Sequence, residues 1–230
     1  MVVGVLQHVR LNKSALAEFD EFPNLVKHVL ETKVPNSYTK VFPKFEVGRA
    51  KIRALYPAHL THYVVTSHIL FLAELGGPIK GTRQQAGSDA QLADHWAWKQ
   101  MRPYTMGLML DYANFNEQHE RVHMEWTITR LQEFLAAHSA THPGLRKSVE
   151  WIAESYKLIT YLHDGKLVRF THGLLSGWRN TMWTNSILNV AYLNVIKRQV
   201  QEQFNLTVLS DFQSGGDDVA ARVGSVWEAY

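Results

Sequence analysis

A Gly-Gly-Asp-Asp run constrains the fold of this chain more than any other stretch. One apolar segment, residues 206–209, precedes it, and another, residues 219–223, follows it. The pattern predicts strand, tight turn and strand, because glycine supplies the positive φ that a two-residue hairpin requires. Asp217 and Asp218 then lie side by side at the tip, where their charges repel each other. A bound Mg²⁺ suits such a pair, although the same turn chemistry is also common in hairpins without metal.

A third carboxylate, Asp111, follows another apolar segment. Residues 104–110 predict a buried strand that runs directly into Asp111, and helical spacing resumes at Glu117. A carboxylate at the end of a buried strand is costly unless it is paired or holds a metal. Asp111 is therefore a candidate metal ligand, and the alternative is an ordinary helix-capping aspartate.

A basic stretch lies in the first third of the chain. Lys44, Arg49, Lys51 and Arg53 fall within ten residues and partly alternate with apolar ones. A strand of that period places the last three on one face. This face is either a binding surface for phosphates, with Glu46 orienting a neighbouring cation, or the solvated side of an edge strand, where lysine is common.

A Ser-Gly loop opens a long predicted helix in the last third of the chain. Ser176 and Gly177 precede the helix, which we expect to run to about residue 203. Thr181 and Asn185 stand four residues apart, so both face the same way. They are either two ordinary polar residues of a capped helix or hydrogen-bonding groups aimed at a sugar hydroxyl.

A zinc-protease pattern competes with these features. His119-Glu120-Arg121-Val122-His123 matches His-Glu-x-x-His, in which two histidines of one helix face bind zinc and the glutamate acts as general base. A distant residue such as Glu150 could complete the site. The chain contains 12 histidines, however, and a chance match is a real risk. We interpret His59, His62 and His68 as core or surface imidazoles.

The remaining segments predict a mixture of helices and strands. Pro23 interrupts the helical spacing of residues 14–33 and is where we expect a helix to start. The helix after Pro143 carries apolar residues on one face, which predicts burial against the core. That face comprises Leu145, Val149, Ile152, Tyr156 and Ile159. The other predicted elements are helices over 57–75 and 89–102, a turn at Asp164-Gly165 and a strand over 166–170.

The composition limits the partners and the kinds of metal site that the chain can have. The 230 residues carry a net charge of +3, which permits a polyanionic partner without demanding one. The absence of cysteine excludes thiolate metal sites and disulfides. No apolar run approaches the roughly 20 residues of a membrane span, so we expect no membrane partner. The last six residues predict a helix that is cut short, which suggests a fragment.

The order of these motifs resembles that of viral RNA-dependent RNA polymerases. Lys44-x-Glu46 through Lys51-x-Arg53 is similar to motif F of that family, and residues 111–116 are similar to motif A. Ser176-Gly177-x-x-x-Thr181-x-x-x-Asn185 is similar to motif B, and Gly216-Asp217-Asp218 to motif C. Asp-Tyr-x-x-Phe-Asn-x-Gln-His at 111–119 and Ser-Gly-Trp-Arg-x-Thr at 176–181 look like the totivirus type, from double-stranded RNA viruses. The resemblance covers roughly residues 40–225.

The resemblance implies an α+β fold, a right-hand palm with part of the fingers and without the thumb. Fingers would comprise residues 1–103 and an insertion at 126–165, and palm residues 104–125 and 166–230. Two positions depart from the pattern of many relatives, Asn114 and Asn116, where aspartate is frequent; asparagine at 116 matches the totivirus type. Motifs D and E have no counterpart, which agrees with a fragment.

The resemblance also implies roles and partners. Asp111 and Asp217, supported by Asp218, would hold two Mg²⁺ ions, with Mn²⁺ as a possible substitute. The partners would be template and nascent RNA, NTPs and the viral capsid protein, in the virion interior and host cytoplasm. The alternatives are the zinc peptidase and an RNA-binding fragment without turnover. The nucleotide-binding residues implied are Lys44, Arg49, Lys51, Arg53, Asn116, Ser176, Gly177, Thr181 and Asn185, of which Asn116, Ser176, Thr181 and Asn185 would read the ribose 2′-hydroxyl.

Overall fold

The computed structural model describes residues 20–35, 38–45, 52–75, 81–82, 106–138 and 144–226. Helices and strands are mixed along the chain, which agrees with the predicted α+β class. The helices are α1 (Phe22–Thr32), α2 (Leu60–Leu75), a 3₁₀ turn (Phe115–Gln118), α3 (Arg121–His138), α4 (Leu145–Lys157) and α5 (Thr181–Phe204). The strands are β1 (Tyr38–Lys40), β2 (Phe42–Phe45), β3 (Ile52–Leu55), β4 (Met106–Leu110), β5 (Thr160–His163), β6 (Lys166–Arg169), β7 (Asp211–Gly215) and β8 (Asp218–Val223).

A helical layer contains the larger hydrophobic core. Helix α2 is apolar on most sides, as expected of a buried helix, and packs against α1, α3 and α4. Helix α4 buries the face that the sequence predicted, and its apolar residues recur at helical spacing. None of the described helices is long and apolar enough to cross a membrane. The core includes Val65, Ile69, Leu70, Met124, Ile128, Val149, Ile152 and Tyr156.

In the described part of the chain, three small sheets accompany the helices. Strand β1 pairs in parallel with β5, which forms a hairpin with β6 around Asp164 and Gly165. Both turn residues have positive φ, so the predicted Asp-Gly turn is confirmed. Strands β2 and β3 form a separate antiparallel pair.

The third sheet has the order β4-β8-β7 and is antiparallel throughout. One of its faces packs on α5 and forms a second, smaller core. That core is built around Leu193, Leu209, Val219 and Ala221, with Leu108, Leu110, Tyr112, Val208 and Phe212 packed against it.

Several predicted elements differ from the observed ones. Residues 206–209 are not a strand, because Leu209 adopts a positive φ of 49° that turns the buried side chain into the smaller core. The prediction that β4 is buried is also wrong: among the described strands it lies at the edge of its sheet, with Met109 72% exposed. Helix α2 starts at Leu60 rather than at Pro57, whose carbonyl accepts a hydrogen bond from Thr39.

The basic stretch is not one strand. Its described parts belong to β2 and β3, which are antiparallel partners. Glu46, Arg49 and Lys51 lie outside the described residues, as do residues 14–19, 89–102 and 104–105 of other predicted elements.

His62 gives the fold a pH dependence. Its fully buried ring lies 4.0 Å from that of Trp178, and burial lowers the pKa of His62 to about 3. In the unfolded chain this histidine titrates near 6.5. As the pH falls below 6.5, the unfolded state therefore takes up a proton that the folded state does not, and stability is lost down to the folded pKa.

Because of this histidine, we expect the unfolding free energy to fall by about 2 kcal/mol when the pH is lowered from 7.5 to 5. Urea titrations of wild type and His62→Leu at both pH values measure the loss, which the variant lacks. His163→Leu, at an exposed position, is the control and retains it. Equal pH dependence in all three proteins would contradict a buried neutral His62.

Candidate functional site

Three carboxylates meet at one end of the β4-β8-β7 sheet. Leu110, the last residue of β4, pairs with Val219 of β8. Asp111 follows Leu110 and Asp218 precedes Val219, so one further step of the same register places the two aspartates opposite each other. Neighbouring strands lie about 4.8 Å apart. Asp217 is the next residue along, in the turn between β7 and β8, and all three carboxylates are exposed.

The turn that carries Asp217 has the geometry predicted from its glycines. Gly215 pairs with Asp218, which leaves Gly216 and Asp217 as a two-residue turn. Gly216 has a φ of +72°, as the first central residue of a type II′ turn requires. A Cβ at this position would lie 2.9 Å from the sulfur of Met182 on α5, so the tip lies directly against that helix.

The three carboxylates suit a divalent cation, both as ligands and because the register of β4 on β8 brings them together. Carboxylate oxygens are the ligands that Mg²⁺ prefers. In the described part of the chain, no lysine or arginine pairs with Asp111, Asp217 or Asp218. The described residues also contain no group of three or more acidic or histidine side chains already gathered around one point. The backbone therefore brings the three ligands together, while their side chains point into solvent.

Asn189 joins the two segments that carry these carboxylates. Its Oδ1 accepts a hydrogen bond of 3.0 Å from the hydroxyl of Tyr112, the residue after Asp111. Its Nδ2 donates to the carbonyl oxygens of Gly216 at 3.2 Å and Asp217 at 3.3 Å. The Asn189 side chain is fully buried, and burial raises the pKa of Tyr112, so the phenol remains a donor. This one amide sets the position of both backbones.

Two buried hydroxyls complete the support of the turn. Ser186 Oγ accepts a 2.8 Å hydrogen bond from the Gly216 N–H and donates to the carbonyl of Met182 one helical turn earlier. Ser214 Oγ donates to the Gly216 carbonyl at 3.2 Å. Both serines are fully buried. The backbone of the tip is thus held on several sides.

Sequence reasoning missed Asn189 and Ser186. Asn189 follows Asn185 by four residues, as Asn185 follows Thr181, so the three form one stripe along α5. A polar stripe on an otherwise apolar helical segment was the signal that would have identified Asn189. Nothing in the local sequence distinguishes Ser186 from a solvated serine.

The structure brings Asn116 and Asn185 together. Asn185 Nδ2 donates to Asn116 Oδ1 at 2.6 Å, and Asn185 Oδ1 lies 2.8 Å from Nε2 of His119. The carbonyl of Asn116 accepts from the N–H of Leu174 at 2.7 Å, which fixes the 3₁₀ segment to the loop before α5. Two of the four predicted ribose contacts therefore form one unit.

The hydroxyls of Ser176 and Thr181 hold the loop before α5. Ser176 Oγ donates to the carbonyl of Ala54 on β3 at 2.7 Å, and Thr181 Oγ1 donates to the carbonyl of Leu175 at 2.9 Å. Their protons are therefore engaged within the protein, and each oxygen keeps acceptor capacity. The loop and the basic pair of strands form one structural unit.

Gly177 and the described cations belong to the same unit. Gly177 has a φ of +92°, and a Cβ there would lie 2.8 Å from a methyl carbon of Leu55. On the adjoining strands Lys44 and Arg53 are exposed register partners, so they stand directly opposite each other. Two cations of the basic stretch are thus neighbours in space although nine positions separate them in sequence.

The His-Glu-x-x-His pattern does not form a helical zinc site. His119 precedes α3 and has extended backbone angles, so the predicted sharing of one helix face with His123 is wrong. The ring of His119 is fully buried, with Asn185 at one nitrogen and the Tyr192 hydroxyl at the other. Burial lowers the pKa of His119, the nearby His123 adds to this, and the hydrogen bond to Asn185 opposes it.

Comparison with known proteins settles the family. The sequence model described as "Viral RNA-directed RNA-polymerase" matches residues 7–230. The chain belongs to this family. It is 30% identical over 210 residues to the RNA-directed RNA polymerase of Penicillium chrysogenum virus (91% of this chain and 18% of the relative). It is also similar to the probable RNA-directed RNA polymerases of Saccharomyces cerevisiae virus L-A (26% over 186 residues, 80% and 12%) and Helminthosporium victoriae virus-190S (30% over 162 residues, 69% and 18%).

These relatives come from totiviruses and related double-stranded RNA viruses of fungi, so the resemblance predicted from the motifs is confirmed. The chain spans less than a fifth of the length of each of these relatives.

We expect Asn189 to stabilise the fold measurably. Asn189→Ala leaves the Tyr112 hydroxyl and two turn carbonyls without their partner, which we expect to lower the unfolding free energy by about 2 kcal/mol. Asn194→Ala, five residues further along α5 at an exposed position, is the matched control and should change it by less than about 0.5 kcal/mol. Equal losses of unfolding free energy in the two variants, measured by chemical denaturation, would show that the buried hydrogen bonds of Asn189 do not stabilise the fold.

Gly177→Ala tests how closely the loop approaches β3. The substitution combines a positive φ with a clash against Leu55, whereas Gly165→Ala combines a positive φ with open space. We expect Gly165→Ala to cost about 1 kcal/mol and Gly177→Ala about 1–2 kcal/mol more. Thermal or urea unfolding of both variants measures the difference, and similar costs would contradict the close contact.

Proposed function

We propose that this chain is the catalytic part of an RNA-directed RNA polymerase that replicates and transcribes the genome of a double-stranded RNA virus. The observation that carries the proposal is the register of β4 on β8, which brings Asp111 next to Asp217 and Asp218. The names of the relatives support the reaction class. The reaction joins the 3′-hydroxyl oxygen of the growing strand to the α-phosphorus of an NTP and releases pyrophosphate.

In this proposal the β4-β8-β7 sheet and α5 are the palm of a right hand. Residues 104–125 and 166–230 comprise the palm, and residues 1–103 and 126–165 belong to the fingers. The sheet carries the carboxylates at one end, the β2–β3 pair carries the cations, and Ser176 of the loop before α5 hydrogen-bonds to β3. A substrate between them would meet carboxylates at the reacting phosphate and cations along its triphosphate.

Asp111, Asp217 and Asp218 are the residues that would hold the metal. When bound, two divalent cations, Mg²⁺ or Mn²⁺ in its place, would lower the pKa of the attacking hydroxyl and offset charge on the phosphates. The chain itself contributes fixed backbone positions for the three carboxylates through Asn189 and Ser186. Such preorganisation removes reorganisation from the reaction step.

The basic and polar residues bind the rest of the nucleotide. Lys44 and Arg53, with Arg49 and Lys51 of the same stretch, would position the triphosphate electrostatically. Asn116 and Asn185 would contact the ribose 2′-hydroxyl, and the oxygens of Ser176 and Thr181 would accept from it. Template and nascent RNA, NTPs and the viral capsid protein are the proposed partners, in the virion interior and host cytoplasm.

Asp217→Asn tests the carboxylate site. We expect Mg²⁺-dependent incorporation of NTPs on an RNA template to fall by at least about 100-fold, because the ligand loses its negative charge while keeping its shape. Asp164→Asn changes an exposed turn aspartate of the β5–β6 hairpin and should leave the rate unchanged.

His123→Ala separates the polymerase from the peptidase that the motif suggested. Retained incorporation supports the polymerase, whereas zinc-dependent peptide cleavage that this variant abolishes would reject it. If purified protein that contains the whole chain binds RNA but incorporates no nucleotide, the chain is an RNA-binding segment.

A further inference from the structure

We propose that His119 is a positioning residue that fixes the orientation of the Asn185 and Asn116 amides and thereby the selection of ribose over deoxyribose. The proposal rests on the polymerase function proposed above, in which these two amides contact the sugar. It assigns to the histidine of the misleading zinc pattern a role in substrate specificity.

The geometry is a continuous chain of hydrogen bonds. His123 Nδ1 lies 3.2 Å from the Tyr192 hydroxyl, which lies 3.3 Å from His119 Nδ1. His119 Nε2 lies 2.8 Å from Asn185 Oδ1, and Asn185 Nδ2 lies 2.6 Å from Asn116 Oδ1. The chain leads from an exposed imidazole through a buried one to the pair of asparagines.

The direction of each hydrogen bond follows from the chemistry of its partners. Asn185 turns its Nδ2 to Asn116 and therefore its carbonyl oxygen to His119. A carbonyl oxygen only accepts, so His119 must carry its proton on Nε2. In a neutral ring Nδ1 is then an acceptor, and the Tyr192 hydroxyl donates to it. Burial lowers the pKa of His119, which favours this neutral form.

The tautomer of His119 therefore decides what the asparagines offer to a ligand. With Asn116 Oδ1 engaged by Asn185, the Nδ2 of Asn116 has no acceptor among the described residues and is presented as a donor. It can donate to a 2′-hydroxyl oxygen, and a deoxynucleotide leaves it unpaired. If His119 carried its proton on Nδ1, both amides would turn over and Asn116 would present its oxygen instead.

Packing fixes where the two ring nitrogens of His119 lie, so the tautomer alone decides which of them donates. Its ring is fully buried and stands edge-on to Phe115, with the centroids 4.6 Å apart and the planes at 81°. A rotation of the ring would break both of its hydrogen bonds and this contact. An amide can turn over without changing its shape, so its hydrogen bonds rather than its packing set the orientation of Asn185 and Asn116.

The test compares His119→Leu, His119→Gln and the control His163→Leu in purified protein containing the whole chain. The ratio of kcat/KM for an NTP to that for the matching 2′-dNTP should fall about tenfold in His119→Leu, which lacks the donor. Glutamine places an N–H donor near the position of Nε2, so His119→Gln should recover most of the ratio. An unchanged ratio in His119→Leu, or no recovery in His119→Gln, would overturn the proposal.

A second measurement does not depend on turnover. In protein labelled with ¹⁵N-histidine, NMR should show His119 neutral at pH 7 with its proton on Nε2. A proton on Nδ1 alone, or on both nitrogens, would overturn the proposal. If the wild-type protein incorporates no nucleotide, the proposed function fails. The NMR measurement of which ring nitrogen carries the proton still tests whether His119 sets the orientation of the two amides.

Discussion

The hydrogen bonds of Asn189 are the constraint on which the arrangement of the carboxylates depends. Three aspartates at one end of the sheet repel each other, and their exposed side chains cannot hold one another in place. The buried amide acts on the backbone instead, because it connects Tyr112 to the turn between β7 and β8. Buried polar groups thus fix the backbone, while the side chains of the three carboxylates stay exposed to water.

Helix α5 carries both halves of the site on one face. Thr181, Asn185, Asn189 and Tyr192 recur at helical spacing, and each makes a hydrogen bond to a different segment of the chain. Buried polar groups are stabilising only when their partners are in place, so this stripe favours one arrangement of the loop, the 3₁₀ turn and the hairpin. A single helix therefore sets the distance between the amides of Asn185 and Asn116 and the carboxylates.

The sequence predicted those parts of the site whose structure is local. Gly216 identified the hairpin because a two-residue turn needs positive φ, and the apolar spacing of Leu145, Val149 and Ile152 identified the buried face of α4. The exposure of β4 and the irregular path through Leu209 depend on how the elements pack on one another. The periodicity of apolar residues does not contain that information. The pairing of Asp111 with the hairpin followed from the order of the motifs, not from their spacing.

The histidine pattern shows most clearly why local spacing was insufficient. His-Glu-x-x-His predicts a zinc site only if both rings project from one helix, and here the first ring precedes α3. A neutral imidazole that donates from Nε2 to Asn185 and accepts at Nδ1 from Tyr192 has no lone pair left for a metal. Since both nitrogens are engaged by residues of α5, the partners on that helix determine the chemistry of His119. The same ring would be a metal ligand or a fixed donor depending on which helix faces it, and in this chain it is a fixed donor.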